Sequence, residues 1–248
     1  MVQQIESATA AIRYLPAIQI ECEAEALLTA FGERFLTIVQ PPVPIEVIAR
    51  ELLGLRIETT DLKRSFAHPE IQGAIWFRQR KIAIDREIDP QRHPASQARY
   101  RFTLAHEIGH WQLHREHFLR LASDSSPQER DLAPPDVICR SGHRATPIEW
   151  QADQFASLLL IPRKMLLPNW TSFRDGDSSP VDVRDLLGSS VALRQRPENR
   201  LLTERQRERA AMEHFCRPLA DRFEVSAQAM RIRLESLGLF VRKRRATL

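Results

Sequence analysis

The most informative stretch of this chain runs Arg101-Phe102-Thr103-Leu104-Ala105-His106-Glu107-Ile108-Gly109-His110-Trp111. The residues before His106 are half apolar and compatible with a helix, which we expect to extend from about Ser96 to His114 or slightly beyond. Residues four apart on a helix differ by about 40° around its axis and about 6 Å along it. His106 and His110 are therefore expected to share one face, with Glu107 turned about 100° from His106. Gly109 is costly inside a helix, which indicates close approach of another backbone.

Two imidazoles on one face can bind a single metal ion. Neutral imidazole together with carboxylate suits Zn²⁺, and Mn²⁺ is compatible. Glu107 would lie beside such an ion without ligating it, so it can take a proton from an activated water and return it to a leaving amine. The pattern favours metal-assisted hydrolysis of a peptide bond. The alternative is a solvated helix on which two exposed histidines flank a glutamate.

A zinc site of this kind needs a third protein ligand. A metzincin-type motif would place glycine at 113 and histidine at 116, but the chain has Leu113 and Glu116. The better candidate is Glu149, in a second predicted helix from about Pro147 to Leu160. The alternative role for Glu149 is a carboxylate favoured near a helix N-terminus by the macrodipole.

Other polar side chains are candidates for supporting roles around the ion. Asp153, one turn after Glu149, is placed to accept the outer N–H of a ligating histidine, although it can equally be a plain surface residue. His114 continues the face of His110 and can extend its hydrogen bonding. Cys139 and His143 fall in a predicted loop, where one cysteine and one histidine are a weak signal of metal binding. Tyr100 and His143 are candidates for stabilising an oxyanion.

Composition limits the classes of protein that fit. The 248 residues, 43% hydrophobic and 27% charged, suffice for one large domain or for one domain with a small appendage. Only 8 glycines argue against a glycine-rich phosphate-binding enzyme. Three widely spaced cysteines imply no disulfide framework, so a reducing cytoplasm fits best. We expect neither a secretory signal nor a transmembrane helix, because no long apolar run is present.

The pattern along the chain predicts an α+β fold, helix-rich with a small, mainly antiparallel sheet. Alternating or β-branched stretches predict three strands, at residues 55–59, 71–77 and 81–85. We expect three regions: a first domain over 1–165 with an irregular insert at about 122–146, a connector over 166–203, and a helical unit over 204–248.

The helical unit contains a helix, a break at Glu224-Val225-Ser226, and a second helix, as in a helix-turn-helix. Residues 203–248 carry 11 Lys and Arg against 6 Asp and Glu, so the net charge of +4 for the whole chain is concentrated there. Basic residues that can contact DNA phosphates are Arg231, Arg233, Arg242, Lys243, Arg244 and Arg245. The alternative is that Met230, Leu234 and Leu237 form a packing stripe that docks this unit on the first domain or on a protein partner.

Several blocks together resemble the ImmA/IrrE metallopeptidases. They are residues 101–111 with His114, residues 148–156 followed by Leu159-Leu160-Ile161-Pro162, and weaker matches near 41–55, at Gly73 and over 219–238. The resemblance implies a zincin-like fold with Glu149 as third ligand, in the manner of gluzincins. It also implies a substrate: members of the family cleave helix-turn-helix transcriptional repressors and so release stress-response or mobile-element genes.

This chain departs from the family pattern in two places. The spacer between His110 and Glu149 is long, and the chain corresponds to a short form without the C-terminal sensor domain of the longer members. The competing hypothesis is a regulator that binds DNA or a repressor and whose metal site is structural or catalytically idle.

Overall fold

The chain divides into two compact units, Met1–Pro162 and Arg163–Leu248. The computed structural model describes residues 13–121, 134–140, 146–189 and 203–242. No helix in these ranges is both long enough and apolar enough to cross a membrane. The predicted insert at 122–146 therefore falls largely outside the described residues.

The first unit contains helices around a small sheet. Its helices are α1 (Ala17–Arg34), α2 (Ile45–Val47, continued by a π-helical turn over Ile48–Leu52), α3 (Leu62–Phe66), α4 (Gln97–Leu121) and α5 (Pro147–Leu160). Single 3₁₀ turns lie at Arg86–Ile88 and Pro94–Ser96. The helix predicted around the two histidines is thus α4, which begins one residue after Ser96 and runs beyond the predicted end.

The sheet has the strand order β1-β3-β2-β4, with β1 at Arg56–Thr60, β2 at Ile71–Trp76, β3 at Lys81–Asp85 and β4 at Val137–Arg140. β2 pairs antiparallel with both β3 and β4, whereas β1 pairs parallel with β3, so the sheet is mixed. The three predicted strands are confirmed. β4 was not predicted, because its four residues lie in a stretch expected to be irregular. Helices with this small sheet confirm the α+β class.

Helix α4 lies at the centre of the first unit and packs on both α5 and the sheet. Its Leu104, Ala105 and Ile108 are fully buried, as are Ala152 and Phe155 of α5. These apolar contacts fix the angular position of α4, and hence the direction in which its polar face points.

Gly109 explains how closely α4 and α5 approach. A Cβ at this position would lie 3.2 Å from the Cα and carbonyl oxygen of Ala152 and 3.2 Å from the Cβ of Phe155. Glycine in a helix costs about 1 kcal/mol relative to alanine, and here the cost is offset by close packing of the two backbones. The close approach expected from the sequence is confirmed.

The second unit is helical, with a two-stranded parallel sheet. Its elements are α6 (Arg163–Phe173), β5 (Val181–Asp182), α7 (Val183–Ser189), α8 (Glu204–Phe223), α9 (Ala227–Ser236) and β6 (Phe240–Val241). The stretch predicted as a connector is therefore helical over much of its described length, since local pattern alone did not distinguish α6 and α7 from an irregular segment. Thr203 and Gln206 form a capping box at the start of α8, and Ser226 caps α9 as predicted.

Candidate metal centre

The two histidines of α4 face each other one turn apart. Their Nε2 atoms lie 3.0 Å apart, and His106 and His110 are 2% and 0% exposed. Two imidazoles with converging ring nitrogens are the arrangement that the spacing on a helix predicts. A buried pair of this kind needs a third group between its nitrogens.

Glu149, in the first turn of α5, supplies that group. Its Oε2 lies 3.1 Å from Nε2 of His106, and its Oε1 lies 3.4 Å from Nε2 of His110. Tetrahedral zinc with ligands at about 2.0–2.1 Å separates their donor atoms by about 3.3 Å. The three side chains therefore fit a zinc ion in both chemistry and spacing, and the close packing of α4 on α5 brings them together.

Glu107 is the most unusual group of the site. Its side chain is 0% exposed, yet neither carboxylate oxygen has a hydrogen-bond partner in the part of the chain that the structure describes. Burial raises its pKa to about 8, with His106 opposing and Glu149 adding to the rise. A buried carboxyl without partners is costly, so its retention points to a partner that binds the site, such as water or substrate.

Strand β2 packs closely against the carboxyl group of Glu107. A Cβ on Gly73 would lie 2.5 Å from Oε1 of Glu107 and 2.8 Å from Cγ2 of Thr103. Only glycine therefore leaves room for the carboxylate where it stands. The sequence singled out Gly73 only through the family resemblance, and the contact with Glu107 was not foreseen.

The outer ring nitrogens of both histidines are engaged. Nδ1 of His106 lies 3.0 Å from Oδ1 of Asp153, and Nδ1 of His110 lies 3.0 Å from Nδ1 of His114. If Nε2 of His110 binds metal, its Nδ1–H donates and His114 accepts, which requires a neutral His114. Burial and the nearby His110 lower the pKa of His114 to about 3, in agreement with that requirement.

The charges of the three candidate ligands are coupled. Burial opposes ionisation of Glu149, but His110 and His106 hold its pKa well below the usual range. Burial lowers the pKa of His110. Burial acts the same way on His106, but Cys139, Asp153 and Glu149 together raise its pKa. A carboxylate beside an imidazole pair is the ionisation state that a divalent cation stabilises.

Cys139 is a fourth potential donor, which the sequence indicated only as a weak signal of metal binding. It lies on β4, and its Sγ, a ligand nitrogen of His106 and a carboxylate oxygen of Glu149 all lie within 4.8 Å of one another. The expectation that Cys139 sits in a loop is wrong, because Val137–Arg140 pairs with β2. The β-branched Val137 and Ile138 were the available signal for a strand.

The two candidates for an oxyanion role are Tyr100 and His143. Tyr100 is buried, and its hydroxyl bonds to Glu46, which together with burial raises its pKa. His143, the other candidate for an oxyanion role, lies outside the described residues.

The arginines predicted to contact DNA are mostly engaged within the second unit. Arg231 and Arg233 are 7% and 6% exposed. Arg231 pairs with Glu213 and Glu235, and Arg242 pairs with Glu208. Buried or paired arginines are poorly placed to neutralise phosphates. Lys243, Arg244 and Arg245 lie outside the described residues.

No protein-family model and no curated protein sequence matched this chain. The case for a function therefore rests on the donor atoms around His106 and on the sequence blocks already described.

Proposed function

We propose that this chain is a zinc-dependent endopeptidase that cuts a helix-turn-helix transcriptional repressor and so derepresses stress-response or mobile-element genes. The observation that carries the proposal is the buried, unpartnered carboxylate of Glu107 next to three converging donors. A site that served only to hold a metal would have no use for such a group. We further propose that the first unit is zincin-like and that residues 204–248 form a helix-turn-helix-like unit.

His106, His110 and Glu149 would hold the metal. When bound, zinc would polarise the scissile carbonyl and lower the pKa of water toward about 7. The protein's own contribution is to orient the ligands: Asp153 fixes the ring of His106, and His114 fixes that of His110. Because these contacts are built on two packed helices, the site is held rigidly.

Glu107 is proposed as the general base and acid. It would take a proton from the attacking water and deliver it to the nitrogen of the leaving amine. Burial raises its pKa to about 8 in the metal-free site, and a cation bound beside it would lower that pKa again, toward the ionised form that a base needs. Gly73 allows the carboxylate to lie against β2 without steric overlap.

The substrate class follows from the resemblance to the ImmA/IrrE metallopeptidases. Opening a repressor by one cut in a flexible segment would suffice, so low activity on general peptidase substrates is expected. DNA binding would then belong to the repressor, because Arg231 and Arg242 of this chain are paired with carboxylates.

The second candidate is a regulator that binds a repressor or DNA and whose metal site is idle. One observation favours it: Cys139 adds a donor that can complete four protein ligands, as in structural zinc sites. The presence of Glu107 argues against it, because a permanently closed site does not need a base.

The test is a cleavage assay with a matched inactive variant. The purified protein, loaded with zinc, is incubated with helix-turn-helix repressors encoded near its own gene, alongside Glu107→Gln, which keeps the shape of the side chain. We expect one discrete cut by the wild type and none by the variant at equal zinc content. If repressor function changes equally with both proteins and no cut forms, the peptidase proposal fails and the binding regulator is favoured.

A further inference from the structure

Strand β4 brings a thiol to the face of the site opposite the helices. In the antiparallel pairing of β2 with β4, Cys139 is the direct partner of Gly73. Gly73 is also the residue whose missing Cβ makes room for Oε1 of Glu107. Cys139 and Glu107 therefore both lie next to Gly73. Both also lie close to the donor atoms of His106 and Glu149.

An irregularity in the pairing lies directly beside this cysteine. The register shifts between Ile71 and Gly73, so that two steps along β2 correspond to one step along β4, from Arg140 to Cys139. Bulges of this kind bend a strand and re-aim its side chains, and they occur often beside active sites. The position of Cys139 is thus set by the sheet and not by a loop.

The distance of the thiol from the donors of His106 and Glu149 is close to that of a ligand. Around a tetrahedral zinc with Zn–S of about 2.3 Å and Zn–N of about 2.0–2.1 Å, sulfur and nitrogen lie about 3.6 Å apart. The observed limit of 4.8 Å leaves at most about 1 Å to be covered. Cys139 is also half-buried and carries a free thiol.

We propose that Cys139 is a fourth, exchangeable metal ligand that closes the zinc site in the resting protein. This inference rests on the proposed zinc site of the peptidase. When the sulfur binds, the thiol gives its proton to solvent; when it leaves, the sulfur takes a proton back and the position is open to solvent. Four protein ligands make a closed site and three make an open one.

The unpartnered Glu107 is the reason to expect two states instead of a permanently closed one. In this structure the carboxyl of Glu107 has no hydrogen-bond partner among the described residues, and its burial is costly. With Cys139 released, water that enters the open position can satisfy it. The same buried carboxyl that is idle in the closed state is the base of the open state.

The test begins with X-ray absorption of the zinc-loaded wild type, which needs no variant to fold. We expect one sulfur at about 2.3 Å from zinc. The sulfur should be lost in Cys139→Ala and kept in Cys22→Ala, a matched control because Cys22 is an exposed thiol of α1 in the same unit. Cys139→Ser, with circular dichroism, checks that loss of the thiol leaves the fold intact.

Two further measurements distinguish a Cys139 that closes the zinc site from one that only lies near it. Zinc affinity of Cys139→Ala, measured against a chromophoric chelator, should fall by at least the roughly tenfold that loss of a supporting hydrogen bond costs. Cleavage per bound zinc should rise above that of the wild type. If zinc binds in a 1:1 ratio without sulfur, the ligand role of Cys139 is refuted while the peptidase proposal stands. If Cys139→Ala binds zinc but loses cleavage, closure is refuted. If the wild type binds no zinc, the proposed function fails as well.

Discussion

Replacing Gly73 with alanine tests the role of Glu107 without changing any metal ligand. The new Cβ would lie 2.5 Å from Oε1 of Glu107, whereas ordinary contacts of carbon are about 3.5–4.0 Å. The carboxylate must therefore retreat by about 1 Å. Because Oε1 is the free end of a flexible side chain, the cost in unfolding free energy should stay within about 1–3 kcal/mol. A displacement of about 1 Å at a catalytic group costs roughly 100-fold in rate.

The assay compares kcat for repressor cleavage with zinc content and thermal stability. Gly32→Ala is the matched control, since a Cβ there meets only Thr37, at 3.4 Å or more. We expect Gly73→Ala to fold and to bind one zinc per chain, but to cleave roughly 100-fold more slowly, while Gly32→Ala keeps wild-type turnover. A folded, zinc-loaded Gly73→Ala with wild-type kcat would refute the placement of Glu107 as the base.

Three further substitutions test the ionisation of Glu107, the helix packing at Gly109 and the hydrogen bond of Asp153. In the metal-free protein, Glu107 keeps its proton when folded up to about pH 8 but loses it near 4.5 when unfolded, so its contribution to stability falls as pH rises through that window. Urea unfolding should show the free energy of unfolding of Glu107→Gln rising relative to that of the wild type between pH 5 and pH 8, by up to roughly 3–4 kcal/mol, because one pKa unit is about 1.4 kcal/mol. Gly109→Ala should lower the unfolding free energy by about 1–2 kcal/mol in the same assay, because its Cβ meets the backbone of Ala152 at 3.2 Å. Asp153→Ala should weaken zinc binding about 10–100-fold by chelator competition, because His106 loses the partner of its Nδ1.

Each of these three predictions has an outcome that would contradict it. A stability difference between Glu107→Gln and the wild type that is independent of pH would mean that the carboxyl is not held protonated by burial. A more stable Gly109→Ala would show that α5 can move away from α4 without loss. Unchanged zinc affinity in Asp153→Ala would remove its supporting role, and Asp185→Ala in the second unit serves as the control for loss of a carboxylate.

Local spacing was enough to predict which side chains converge at the candidate metal centre. His106 and His110 follow from a helical repeat, and Glu149 from the need for a third donor on a second helix. Gly109 was predicted to allow a close approach, because a glycine inside a helix is costly and so needs a reason. These inferences depend on properties that act within a few turns of one helix.

The features that the sequence missed depend on pairing between distant segments. Cys139 comes to the site only because β4 pairs with β2, and a four-residue strand between turn-forming residues carries a weak pattern. Gly73 touches Glu107 only because β2 packs on α4. The burial of Arg231 was missed for a related reason: its charge suggested exposure, whereas Glu213 and Glu235 compensate it inside the second unit.

The proposed ion would join α4 to α5. It would thereby close a loop formed by the long segment between His110 and Glu149, as a disulfide closes a loop. The ends of that loop are already held by helix packing around Gly109, so its length has little effect on the ligands. Lengthening a flexible loop is inexpensive, about 0.6 kcal/mol for each doubling. The segment can therefore gain or lose residues on either side of β4 without disturbing the candidate ligands.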